Sequence, residues 1–131
     1  MNHSPRNLLV ILVDQLRRDA LGCYGNDQVP VQTPHLDRLA SEGSRFTRTY
    51  CNSPICVASR TSTLTGLYPE QNGVYSNEGA WRSFRHDPGV KTFPEVFADR
   101  GYTTASFGKS HVPASIRAWQ IEDGAGGDMG E

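Results

Sequence analysis

Two short stretches of the chain carry the hydrophobic pattern of buried strands. Leu8–Val13 is a continuous apolar run rich in branched side chains, and Asp14 closes it. Such a run is typical of a strand buried on both faces in a parallel sheet. We predict a second buried strand at Tyr102–Phe107, while the alternation within Arg45–Tyr50 predicts a short extended segment.

Amphipathic stretches between capping residues predict helices. The first begins with Thr33 as its N-cap and Pro34 in its first turn, and it ends at Gly43. Its inner stripe is predicted to contain three apolar side chains, Leu36, Leu39 and Ala40. The second is predicted at Ser59–Thr65, where Gly66 stops it.

A third helix is predicted between Thr92, its N-cap, and Gly101, its stop, with three side chains facing inward, Phe93, Val96 and Phe97. Residues 22–30 and 68–89 are rich in Gly and Pro and predict loops. The order strand, helix, helix, strand predicts an α/β fold, with a mostly parallel sheet flanked by helices. The Gly-rich, acidic stretch Gly124–Glu131 is predicted to be disordered.

Composition narrows the class of protein. The chain has 131 residues, 37% of them hydrophobic, and a formal net charge of −1, which favours a globular piece and argues against a nucleic-acid surface. Its longest apolar run is too short to span a membrane and has no cleavage site, so we predict neither a signal peptide nor a membrane partner. Three cysteines fit no disulfide framework, and a reducing cytoplasm is the expected compartment.

Cys56 has the surroundings expected of a reactive cysteine. Pro54 precedes it, a helix is predicted just after it, and Arg60 follows four residues later. A positive neighbour and a helix N-terminus both favour a thiolate, and the free N–H groups there bind anions. The alternative is a buried, inert cysteine, which is the usual state of a free thiol.

Polar residues also follow both predicted strands. Asp14 and Gln15 come after the first, and Gly108–His111 comes after the second. In open α/β sheets, ligands bind beyond the carboxyl ends of the strands. Each residue also has an ordinary explanation: Asp14 as a loop residue or helix cap, Lys109 as a solvated lysine, and His111 as a structural histidine.

Arg60 likewise has a simple explanation, as the partner of a surface carboxylate. The combination is more specific than its parts. It offers oxygen donors for a hard cation, cationic groups for an oxyanion and an activated side chain between them.

Between about Asn7 and His111 the sequence contains an ordered set of motifs: Asp14 after its strand, LGCYG at 21–25, TPHLDRLA at 33–40 followed by Gly43, SPICVASR at 53–60, LTGLYP at 64–69, Gly73–Val74 and GKSH at 108–111. In these motifs and their order the chain resembles the N-terminal part of a sulfatase of the alkaline phosphatase superfamily.

This resemblance implies that Cys56 is oxidised after translation to formylglycine by a sulfatase-maturing enzyme. The aldehyde would hydrate to a geminal diol, one hydroxyl of which attacks the sulfur of a small-molecule sulfate ester and expels the alcohol. Deprotonation of the second hydroxyl would then release sulfate and re-form the aldehyde. Covalent catalysis of this kind is assisted by a metal and by cationic side chains.

The resemblance also implies a role for each candidate residue. Asp14, Gln15 and the modified Cys56 would bind a divalent metal, Ca²⁺ in most members of the family. Arg60 would hold the formylglycine and its metal environment. Lys109 and Asn77 would contact the sulfate, and His111 would orient the diol.

Three features depart from the commonest family pattern. Ala58 stands where proline is usual, and Gln15 stands where many sulfatases have a second aspartate. Asp-Gln is similar to choline-sulfatase-like and phosphonate-monoester-hydrolase-like members, whereas Lys-x-His at 109–111 favours sulfate over phosphonate. The alternatives are therefore a phosphonate monoester or phosphodiester hydrolase of the same superfamily, and a non-catalytic remnant.

Length is the third departure, because family members are several times longer. We expect residues 1–113 to be the N-terminal part of a catalytic domain and residues 114–131 to be an irregular, truncated tail. Calcium takes six to eight oxygen ligands, more than Asp14, Gln15 and Cys56 supply. The fold is thus expected to be incomplete, and the chain alone to be inactive.

Overall fold

A computed structural model describes residues 6–25, 31–79 and 89–124. Contacts divide the chain into two compact units, Met1–Thr49 and Tyr50–Glu131. No helix within the described ranges is long and apolar enough to cross a membrane. The predicted loop residues 26–30, part of the loop at 68–89 and all but the first residue of the predicted disordered tail lie outside these ranges.

The first unit is organised around helix α1, Pro34–Glu42, which begins and ends where the sequence predicts. Two 3₁₀ turns, Arg18–Ala20 and Gly22–Tyr24, precede it. The Asp37 carboxylate accepts hydrogen bonds from the Cys23 N–H at 2.7 Å and from the Thr33 hydroxyl at 3.1 Å. A Cβ at Gly22 would lie 2.4 Å from Asp37 Oδ2, so the close approach of turn and helix requires glycine there.

Hydrophobic burial in this unit differs from the prediction. Residues 8–13 form no strand, and their side chains are exposed, Leu9 by 81%. The predicted strand buried on both faces is therefore wrong here, because a strand needs a hydrogen-bonding neighbour and the described residues place none beside it. Leu36 and Leu39 of the predicted inner stripe are likewise exposed, and residues 45–50 form no strand.

Within its described residues, the second unit contains three helices, α2 at Cys56–Thr65, α3 at Pro69–Asn72 and α4 at Phe93–Ala98. Gly66 ends α2 in the left-handed conformation, as its position predicts. Thr92 and Glu95 form a capping box at the start of α4, confirming the predicted N-cap. Helix α3 lies within the predicted loop at 68–89, where Pro69 starts it and Gly73 ends it.

Two small apolar clusters hold α2 in place. Val57 and Ala58 pack with Val74 near its start. Near its end, Leu64 packs with Val112 and Ile116, against which Phe93 and Trp119 also lie. Complete burial of one such aliphatic side chain stabilises the fold by roughly 1.5–3 kcal/mol. Both ends of α2 are therefore fixed by packing.

A two-stranded parallel sheet completes this unit. Strand β1, Ala105–Phe107, pairs with β2, Ile121–Asp123, in the register Ala105 to Ile121. Parallel pairing beside helices confirms the predicted α/β class. β1 is shorter than predicted and is not buried on both faces, since Phe107 is 73% exposed. β2 and a 3₁₀ turn at Ala114–Ile116 lie in the stretch that the sequence predicts to be irregular.

Candidate active site

Cys56 is the first residue of α2. The residue before it, Ile55, has an extended backbone and no side-chain group that caps the helix. Its carbonyl accepts the first helical hydrogen bond, from the Ser59 N–H at 2.8 Å. The predicted placement of Cys56 at a helix entrance is confirmed, with the helix starting three residues earlier than Ser59. Cys56 is partly buried and forms no disulfide.

Asn77 supplies the cap that Ile55 lacks. Its Oδ1 atom accepts a hydrogen bond from the Val57 N–H at 3.0 Å. The first four N–H groups of a helix have no partner within the helix, and a side-chain oxygen commonly satisfies one of them. Sequence reasoning placed Asn77 near the sulfate but missed this role, because the two residues are 20 positions apart.

Lys109 brings a positive charge to the same helix end. Its Nζ atom lies 3.8 Å from Cys56 Sγ. The ammonium group therefore lies beside the Cys56 side chain. Lys109 is exposed, and its chain leaves the group accessible to a ligand.

Arg60 ties the helix to the loop that carries Lys109. One of its guanidinium nitrogens, Nη1, donates to the main-chain carbonyl of Lys109 at 2.5 Å. The side chain thus bridges from the first turn of α2 to residue 109, instead of acting only as the surface ion pair that was the alternative explanation. This bond restrains the distance between Cys56 and the lysine backbone.

The loop Gly108–His111 follows β1 directly. The Gly108 N–H donates to the Asp123 carbonyl at 2.9 Å, and the buried Ser110 hydroxyl donates to Glu122 Oε1 at 2.5 Å. His111 is partly buried and has φ of 47°, in the left-handed region that non-glycine residues rarely adopt. Such a conformation costs of order 1 kcal/mol and persists only where the surroundings enforce it.

Asp14 and Gln15 lie in a turn of the first unit. Gln15 also has a left-handed backbone, with φ of 55°. A carboxylate and a carboxamide are oxygen donors of the kind that Ca²⁺ prefers. Across the described ranges no three His, Cys, Asp or Glu side chains cluster as a metal site. The predicted sharing of one metal by Asp14, Gln15 and Cys56 stays a prediction.

Contacts therefore link three of the residues predicted from the sequence, Cys56, Arg60 and Lys109. Asn77 joins the same end of α2 through its hydrogen bond with Val57, the residue next to Cys56. His111 lies two residues beyond Lys109 in the same loop. Helix N–H groups and an ammonium group around a partly buried side chain favour an anionic ligand.

The chain belongs to the sulfatase family. The family model described as Sulfatase matches residues 6–115, a range that includes every candidate site residue: Asp14, Gln15, Cys56, Arg60, Asn77, Lys109 and His111. The resemblance drawn from the motifs is thereby confirmed.

Curated relatives and a solved structure agree with this assignment. The chain is 40% identical to mouse (Mus musculus) steryl-sulfatase, covering 86% of this chain and 19% of that protein. It is 38% identical to an arylsulfatase of Clostridium perfringens, covering 81% and 21% respectively. A crystal structure from Bacteroides thetaiotaomicron described as a sulfatase aligns with a TM-score of 0.72 and 31% identity, over 82% of this chain and 23% of that one. The chain thus spans about a fifth of the length of these curated relatives.

Proposed function

We propose that the protein hydrolyses sulfate monoesters and that Cys56, converted to formylglycine, is the group that reacts. The observation that supports this most strongly is the 3.8 Å approach of Lys109 Nζ to Cys56 Sγ at the first residue of α2. The net reaction takes one sulfate ester and one water to an alcohol and inorganic sulfate. When formed and hydrated, the formylglycine supplies a hydroxyl nucleophile far stronger than that of serine.

The side chains around Cys56 have separate tasks in this proposal. Lys109 places its charge where the sulfate oxygens gather negative charge, and His111 orients the reacting hydroxyl. Asn77, with its oxygen held by the Val57 N–H, turns its NH₂ group toward the ligand. Arg60 holds the lysine loop at a fixed distance from α2.

Metal binding belongs to Asp14 and Gln15 in the same proposal. The two side chains offer oxygen atoms, which suit a hard divalent cation such as Ca²⁺. Bound there, the metal would supply Lewis-acid stabilisation of negative charge. The left-handed backbone of Gln15 is consistent with a turn shaped for ligation, because strain of this kind concentrates at functional sites.

Turnover of an aryl sulfate by the protein at its full natural length tests the proposal. Replacing Lys109 by Ala is expected to lower kcat/KM about 100-fold, since removing one donor to a developing oxyanion costs about 10²–10³ in rate. Lys91→Ala is the matched control. Lys91 is exposed and paired with Asp99, the residue that follows α4, so this variant should keep wild-type turnover.

Two results would contradict the proposal. If the Lys109→Ala variant kept wild-type turnover, Lys109 would have no role in the reaction. A preference of the wild-type protein for an aryl phosphonate over the aryl sulfate would favour the related phosphonate hydrolases, to which the Asp-Gln pair at 14–15 is similar.

A further inference from the structure

The loop Gly108–His111 is anchored by its backbone at one end. Phe107 pairs with Asp123 as the last residue pair of the parallel ladder. The Gly108 N–H then bonds the Asp123 carbonyl, which extends the ladder one residue into the loop. A Cβ at Gly124 would lie 2.4 Å from the nitrogen of Gly108, so the two backbones approach closely just beyond the sheet.

The middle of the loop is anchored by a side chain. Ser110 is 8% exposed, and its hydroxyl donates to the Glu122 carboxylate at 2.5 Å. Hydrogen bonds from a hydroxyl to a carboxylate at 2.5–2.7 Å are among the stronger ones in proteins, because the acceptor is charged. Glu122 is the central residue of β2, so its backbone is fixed by the ladder.

The two residues beside Ser110 are Lys109 and His111, both of which have roles in the proposed function. Lys109 reaches toward Cys56, and His111 holds a left-handed backbone. A residue other than glycine keeps a left-handed backbone conformation only where its surroundings enforce it. Tethering Ser110 on one side, and burying Val112 in the apolar cluster on the other, prevents that relaxation.

We propose that Glu122 is a positioning residue for Lys109 and His111, acting through its hydrogen bond with Ser110. The expected effect on catalysis rests on the proposed function. The anchoring of the loop by Glu122 does not depend on that function. Glu122 lies outside residues 6–115, the range that the sulfatase family model matches.

A double-mutant cycle in the protein at its full natural length tests this role. Glu122→Ala and Ser110→Ala are each expected to lower kcat/KM for an aryl sulfate about 10- to 100-fold, since small misplacements of reacting groups have effects of this size. The kcat/KM of the double variant should be no lower than that of the less active single variant, because both changes remove the same bond. The loss should fall on kcat.

Two further variants separate positioning from general stability. Glu122→Gln keeps an acceptor oxygen for Ser110 and is expected to retain most of the turnover. Glu70→Ala removes an exposed carboxylate on α3 and should change nothing. Thermal unfolding of each variant shows whether an activity loss merely follows a loss of fold.

Hydrogen–deuterium exchange of residues 108–112 gives a readout that needs no activity. The Glu122→Ala variant should exchange these amides about tenfold faster than wild type, while Glu70→Ala should not. Unchanged exchange, or single losses that multiply in the double variant, would overturn the inference. If exchange changes as expected but the wild-type protein does not hydrolyse the sulfate ester, Glu122 anchors the loop and the proposed function is wrong.

Discussion

At the scale of single residues, backbone strain coincides with candidate chemistry. Within the described ranges, the non-glycine residues with positive φ are Gln15 and His111. Both are candidate site residues that the sequence predicts. A left-handed conformation costs free energy in an ordinary residue, so its presence at both positions indicates that their side-chain directions are constrained.

Some of the site was predictable from residues alone, and some was not. Cys56 at a helix start follows from local signals, namely Pro54 before it and Gly66 at the far end. The bonds Val57 to Asn77, Arg60 to Lys109 and Ser110 to Glu122 join residues far apart in sequence. Local pattern carries no information about such pairs.

Asn77 provides a test at the residue scale. Asn77→Ala leaves the Val57 N–H without its cap and is expected to destabilise the protein by about 1 kcal/mol. Asn77→Asp keeps an oxygen acceptor, and a carboxylate is favourable at a helix N-terminus, so stability should be retained. The same carboxylate repels sulfate and lacks the NH₂ group, so turnover of an aryl sulfate should fall in both variants.

Thermal unfolding and steady-state kinetics together check this prediction. Asn52→Ala, an exposed asparagine in the same unit, serves as the control and should leave the unfolding temperature unchanged. Equal destabilisation of Asn77→Asp and Asn77→Ala would show that the capping bond contributes nothing.

At the scale of elements, helices were predicted better than strands. Caps and stops are local, so α1 and α4 begin where Thr33 and Thr92 predict. Strands depend on neighbours that the local sequence does not specify. The apolar run at 8–13 has the composition of a buried strand, yet the described residues provide no partner for it, and its side chains are exposed.

The end of α2 provides a test at the element scale. Gly66 has φ of 71°, and a Cβ there would meet no atom within 4 Å. Gly66→Ala is therefore expected to destabilise the protein by about 1–2 kcal/mol through backbone strain alone. Gly66→Asn should cost less, because asparagine tolerates the left-handed region.

Chemical denaturation measures both changes in unfolding free energy. If Gly66→Ala were as stable as wild type, the left-handed stop of α2 would not be under strain. If Gly66→Asn were less stable than Gly66→Ala, backbone conformation would not explain the loss of stability.

At the scale of the whole molecule, fold class and family could be predicted from the sequence, because ordered motifs from residues 7 to 111 carry them. The match over residues 6–115 agrees closely with that range. Substrate identity could not be predicted, since the chain spans about a fifth of its curated relatives. The described side chains bring Lys109 to Cys56, the proposed reacting group.

The most direct test of the proposed function is the chemical state of Cys56 in the protein purified from its native host. We predict that mass spectrometry of the peptide containing residue 56 finds an aldehyde in place of the thiol, and that a hydrazine reagent traps it. A peptide carrying only an unmodified cysteine at position 56 would contradict the proposed formylglycine chemistry.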